Sequence, residues 1–135
     1  SLVGSEMCIR DSLEGDDMNL IYYNSFAEHM RKTYTSDCSI YLESRGVMEL
    51  MAGAELPEQL LEQYLGYIGP KYIVSESRLP LMGTENAFSR FVFCTKAGQR
   101  RLLVVLSTER REAYEGDITA EIIKDIREFR EGVEK

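Results

Sequence analysis

The sequence predicts an α+β domain: a single five-stranded antiparallel sheet with helices on both faces, in the order αββαβββα. Three observations predict it. Apolar residues recur three and four apart in three separate stretches, the period of a helix, and in the stretches between them they alternate, the period of a strand. Alternating stretches fold back on each other at glycine-containing turns, which makes neighbouring strands antiparallel. One stretch, Leu102 to Leu106, is apolar at successive positions, so both of its faces need covering and it belongs in mid-sheet between helix layers.

The first helix is carried by Tyr23, Phe26, Ala27, Met30 and Tyr34, with Glu28, Arg31 and Lys32 facing water, and it stops near Thr35-Ser36-Asp37. Cys38, Ile40 and Leu42 then alternate with Ser39, Tyr41 and Glu43, which marks a strand. Ser44-Arg45-Gly46 turns the chain into a returning strand, Val47 to Ala52. A second helix carries Leu56, Leu60, Leu61, Tyr64, Leu65 and Ile68, with Pro57 in its first turn and Gly69-Pro70 as its stop. Three strands follow. Lys71 to Ser77 holds Tyr72, Ile73 and Val74; Ser89 to Lys96 sets Phe91 and Phe93 against Val92 and Cys94; Arg101 to Ser107 follows a hairpin at Lys96-Ala97-Gly98-Gln99. The last helix starts at Asp117 or Thr119 and places Ile118, Ile122, Ile123, Ile126, Phe129 and Val133 on one side.

The stretch Ser1 to Ser12, SLVGSEMCIRDS, resembles translated sequencing-adaptor read-through, and residues 1–17 are expected to be a spurious or disordered tail before a single domain over 18–135, with Met18 as its start. Without that tail, which holds five acidic residues and one basic, the net charge of −7 becomes −3. A mild acidic excess spread along the chain argues against a nucleic-acid surface, which needs a basic face. No apolar run approaches the roughly 18 residues of a membrane span. A cytoplasmic protein is expected, with Cys38 and Cys94 as buried thiols, since no C-x-x-C spacing points to redox work.

Lys71 to Ser77 has three strongly apolar residues between polar ones, as an edge strand does, and an apolar edge is a pairing hazard unless a second copy of the chain covers it. From the element order, the Tyr41-Leu42-Glu43-Ser44-Arg45-Gly46-Val47 hairpin and the run Gly98 to Leu106, the chain resembles the roadblock family of dynein-light-chain and gliding-regulator modules, which have a profilin-like fold. The resemblance implies a central last strand, one helix on one face and two on the other, and dimers joined through the third strand and the middle helix. It also implies a non-enzymatic scaffold binding a homologous chain and a partner such as a small Ras-like GTPase or a motor complex. Two features depart from the family: the long connection Leu79 to Asn86 and the charged segment Arg110 to Gly116. Both suit the alternative of a ligand sensor of the GAF or PAS type, whose pocket Met82, Phe88 and Phe91 would line.

No catalytic, cofactor or metal site is expected. His29 is the only histidine and has no sequence neighbour to work with. Gly66 to Lys71 closes a helix, whereas a phosphate loop opens one. Glu109, Glu112, Glu115 and Asp117 are interleaved with Arg110 and Arg111, as in a solvated loop. The residues expected at a dimer or partner interface are Leu60, Tyr64, Tyr72, Ile73, Val74, Arg100 and Arg101, the two arginines as forks for an acidic surface.

Overall fold

The computed structural model describes residues 6–66, 69–74, 89–110 and 113–134, with side chains left out of the description for 6–19, 71–74 and 134. Its elements are α1 (Glu6–Tyr34), β1 (Asp37–Ser44), β2 (Val47–Ala52), α2 (Glu58–Leu65), β3 (Gly69–Val74), β4 (Ser89–Ala97), β5 (Arg100–Thr108) and α3 (Asp117–Glu134). The strands form one antiparallel sheet in the order β2-β1-β5-β4-β3. The last strand is therefore central and β3 lies at a rim, as the apolar run and the polar flanks predict.

Alternation sorts the side chains into two layers. Cys38, Ile40, Leu42, Phe91, Phe93, Leu102, Val104 and Leu106 join Met30 and Tyr34 of α1 and Ile122, Ile126 and Phe129 of α3 in the larger core. Tyr41, Val92, Cys94, Leu103 and Val105 face the other way and meet Leu56 and Tyr64 beneath α2. Leu102 to Leu106 are all at most 1% exposed, so β5 is sealed on both faces. Each such side chain contributes about 1.5–3 kcal/mol of burial, so β5 is a principal source of the sheet's stability.

Local geometry explains the turns. Arg45 and Gly46 both have positive φ, 55° and 80°, the signature of the two-residue turn whose twist matches a hairpin. Between β1 and β2 the register slips at Ile40/Tyr41, because Met51 is an extra residue opposite them. The chain after β2 is pinned onto β1 at three points. The Ser39 hydroxyl donates to the Ala54 carbonyl at 2.8 Å, and the Leu56 N–H donates to the Tyr41 hydroxyl at 2.8 Å. Gly53, at φ 88°, passes so close to the Cys38 carbonyl that a β-carbon there would lie 1.9 Å from its oxygen.

Four expectations need correction. Helix α2 ends at Leu65, and Gly69-Pro70, expected as its stop, already belongs to β3; a proline is tolerated there because an edge strand leaves one row of N–H groups unpaired. Pro57 is the residue before the helix, with ψ 141°, and not a member of its first turn. Ile118 is exposed, and the buried stripe of α3 begins one turn later at Ile122. Helix α1 starts at Glu6, inside the segment set apart as a tail. Ile68, Ser75 to Ser77 and the connection Leu79 to Asn86 lie outside the described residues. So do Arg111 and Glu112 of the charged segment.

Candidate functional site

Helices α1 and α3 lie side by side on the larger core and are cross-linked by side chains. The Tyr34 hydroxyl donates to Asp125 Oδ2 at 2.7 Å, and His29 Nε2 approaches the same oxygen at 3.2 Å. A carboxylate oxygen only accepts, so Nε2 carries a proton, and in the neutral imidazole Nδ1 accepts from the Thr33 hydroxyl at 3.3 Å. Farther toward the start of α1, the Tyr22 hydroxyl donates to the Phe129 carbonyl at 2.7 Å. Burial, and then the Asp125 carboxylate that accepts its proton, push the Tyr34 hydroxyl well above the ordinary phenol range. Tyr22 is raised by burial and by Glu131.

Between these cross-links runs a cleft of about 310 Å³, lined by Tyr22, Phe26, His29, Asp125, Glu128 and Phe129. Phe129 stacks on Phe26 at 4.2 Å and on Tyr22 at 5.0 Å between ring centroids, within 15° of parallel in both cases. Gly132 permits this approach, because a β-carbon there would lie 2.0 Å from the Tyr22 hydroxyl oxygen. One wall of the cleft is therefore aromatic and its mouth carries carboxylates.

Thr33, His29 and Asp125 fall in the order hydroxyl, imidazole, carboxylate, the order of a nucleophile, its base and the group that orients the base. The surroundings do not suit an acyl-transfer centre. Thr33 lies in the last turn of α1, where carbonyl groups gather negative charge that opposes an oxyanion, and the His29 side chain is 51% exposed. The arrangement ties the helices together and orients the imidazole.

The residues expected at an interface fall in different places. Leu60 is half-buried on α2, while Tyr64 is fully buried, its hydroxyl accepting from Arg90 Nη1 at 3.1 Å, so it serves the core of its own chain. Tyr72, Ile73 and Val74 pair with Phe91, Arg90 and Ser89 on the inner side of the rim strand; their side chains are outside the description. Arg100 is exposed at the β4–β5 turn. Arg101 is engaged within the chain, its guanidinium 3.2 Å from Glu43 Oε2 and its N–H donating to Oε1 at 3.0 Å, and these bonds hold the Glu43 carboxyl below the ordinary range. Tyr72 pairs with Phe91, which pairs with Leu106, five residues from Arg101 along β5, or about 17 Å at strand rise. The arginines and the rim strand therefore do not form one patch.

Other candidates resolve likewise. Phe91, expected to line a ligand pocket, is fully buried under Tyr114, ring centroids 5.9 Å apart, and Met82 and Phe88 lie outside the described residues. Cys38 and Cys94 are both buried but on opposite faces of the sheet, so they cannot form a pair, and burial raises both thiols. Among the described residues, no three His, Cys, Asp or Glu side chains gather closely enough to hold a metal ion. No helix among them is long and apolar enough to cross a membrane.

Asp125 was missed in the sequence, although a signal was present. It stands three residues after Ile122 and four before Phe129, on the flank of the apolar stripe, where a carboxylate needs a partner.

No protein-family model matches the chain, and no curated protein matches it. Among solved structures it is similar to a domain described as part of a two-component sensor histidine kinase protein from Sinorhizobium meliloti. The likeness has a TM-score of 0.57 at 12% identity and covers 84% of this chain and 88% of that one. It shows the fold alone: α+β, profilin-like or GAF-like, with one five-stranded antiparallel sheet and three helices among the described residues. The narrower resemblance to the roadblock family finds no match of its own.

Proposed function

We propose that this chain is a small, non-enzymatic regulatory domain of the sensor kind, which binds a small ligand between α1 and α3 and reports occupancy through the relative position of those two helices. The observation that carries the reading is the cleft itself. Rings and polar heads converge there at a volume of about 310 Å³, within the range of about 300–1,000 Å³ usual for small-molecule sites. Both helices that form it are tied by the Asp125 and Tyr22 hydrogen bonds, so a ligand that displaced either tie would shift one helix against the other. The sheet shared with a sensor-kinase domain supports this reading, and nothing in that likeness speaks for a small Ras-like GTPase or a motor complex.

The test is thermal denaturation of the full chain against a metabolite library. A ligand at a hundred times its Kd adds about 2.7 kcal/mol, a rise of about 10 °C for a domain of this size. Phe26→Ala should abolish the rise. A library without a hit, or hits indifferent to Phe26→Ala, would refute the cleft as the sensing site.

A second reading, a dimeric scaffold, is favoured by two other observations. Strand β3 pairs with β4 and stands at the end of the sheet, and α2 leaves Leu60, Leu61 and Leu65 only half-buried. A seam through these residues would need about 1,600 Å² of buried surface for stable pairing. Sedimentation equilibrium tests it; a chain that remains monomeric at about 100 μM would rule out a homodimer held by a seam of that size.

A further inference from the structure

We propose that the α1–α3 cleft takes a small organic cation, an ammonium or guanidinium group carried on an apolar body; this deepens the sensor reading and rests on it. The lining residues bring two carboxylates, Asp125 and Glu128, and one imidazole, with no lysine or arginine among them. With His29 neutral, the cleft has a formal charge of −2. Asp125 and Glu128 are three residues apart on α3, so their side chains lie on neighbouring positions of one helix face and can be met together by a single charged group.

An anion entering this cleft would face both carboxylates without a countercharge. A neutral molecule could use the rings but would leave the acidic mouth hydrated as before. A cation with a hydrocarbon body meets both requirements. Its body packs on Tyr22 and Phe26, which are 37% exposed and half-buried respectively, while its charge sits against Glu128 and Asp125 beside π-faces that attract cations. The negative field is not confined to the lining. Glu131, three residues beyond Glu128 on α3, adds a further carboxylate near the Tyr22 hydroxyl. Asp125 Oδ2 already accepts from Tyr34 and His29, which fixes that carboxylate in place and leaves the exposed Glu128 as the group free to close on a ligand.

The experiment uses the full ¹⁵N-labelled chain and three probes of similar shape at matched ionic strength: 2-phenylethylammonium, 2-phenylethanol and phenylacetate. The ammonium should move the amide signals of residues 22–29 and 125–129 saturably. It should bind about tenfold tighter than the alcohol, and the carboxylate should give no saturable shift there. Glu128→Gln, an exposed change that leaves the core untouched, should weaken the ammonium several-fold, and Glu128→Lys should abolish its binding. Equal binding by the alcohol, saturable binding by phenylacetate at the same signals, or indifference to Glu128→Lys would each overturn the cationic class while leaving a ligand cleft in place. Silence from all three probes also overturns the class; the library screen then decides separately whether the cleft binds any ligand.

Discussion

Removing the Tyr34 hydroxyl tests the junction on which the cleft depends. The hydroxyl donates to a carboxylate at 2.7 Å, with Tyr34 8% exposed and the Asp125 side chain 24% exposed. A hydrogen bond to a charged group is worth about 1.5–3 kcal/mol. In Tyr34→Phe the carboxylate keeps His29 and some water, so no buried charge is orphaned and the lower end applies, about 1.5 kcal/mol. For a chain of 135 residues that is a fall in Tm of about 6 °C. Asp125→Asn should cost about as much, and the double variant should cost clearly less than the sum, a coupling of about 1 kcal/mol by urea denaturation. Additive losses, or a Tyr34→Phe protein within about 0.3 kcal/mol of the parent, would show that the α1–α3 tie does not form in solution and would remove the frame of the cleft.

Three further outcomes follow from particular residues. Gly53→Ala places a β-carbon 1.9 Å from the Cys38 carbonyl oxygen at φ 88°, so stability should fall by about 3 kcal/mol or more in urea melts; a Gly53→Ala protein as stable as the parent would contradict the close approach. Gly132→Ala should displace Tyr22, whose far end can swing outward. The lost hydrogen bond of about 1 kcal/mol is offset by a similar gain in helix propensity, so Tm should hardly move while ligand binding in the cleft weakens. Glu43 is held below the ordinary carboxylate range, first by its side-chain bond to Arg101. A lowered folded value means a contribution intact above the unfolded glutamate pKa of about 4.3 and lost as pH falls through the folded value. Tm measured from pH 6 down to pH 3 should therefore drop less steeply for Glu43→Gln than for the parent.

The sheet was largely legible because its determinants are local. Alternation in β1 and β4 assigned each side chain to a face, and the unbroken run in β5 required two covered faces, which only a central strand has. Element ends were less legible where two residues served either neighbour. Gly69-Pro70 stops a helix as readily as it opens an edge strand, and only pairing with Cys94 and Phe93 decides. The first seventeen residues show no apolar stripe to announce a helix. The cleft was hidden for a different reason. His29 and Asp125 are 96 positions apart, and nothing in either segment specifies that α1 and α3 share a face of the sheet. That neighbourhood follows from the strand order, a property of the whole chain.

The position of β5 also bears on how the protein is made. The strand that joins the β1–β2 hairpin to the β3–β4 hairpin leaves the ribosome after both of them. Until then each hairpin shows an unpaired inner border and a greasy surface with nothing to zip it shut, a state prone to association with other nascent chains. A sheet whose central strand comes last among its strands therefore closes in one late step, when residues 100–108 join both halves.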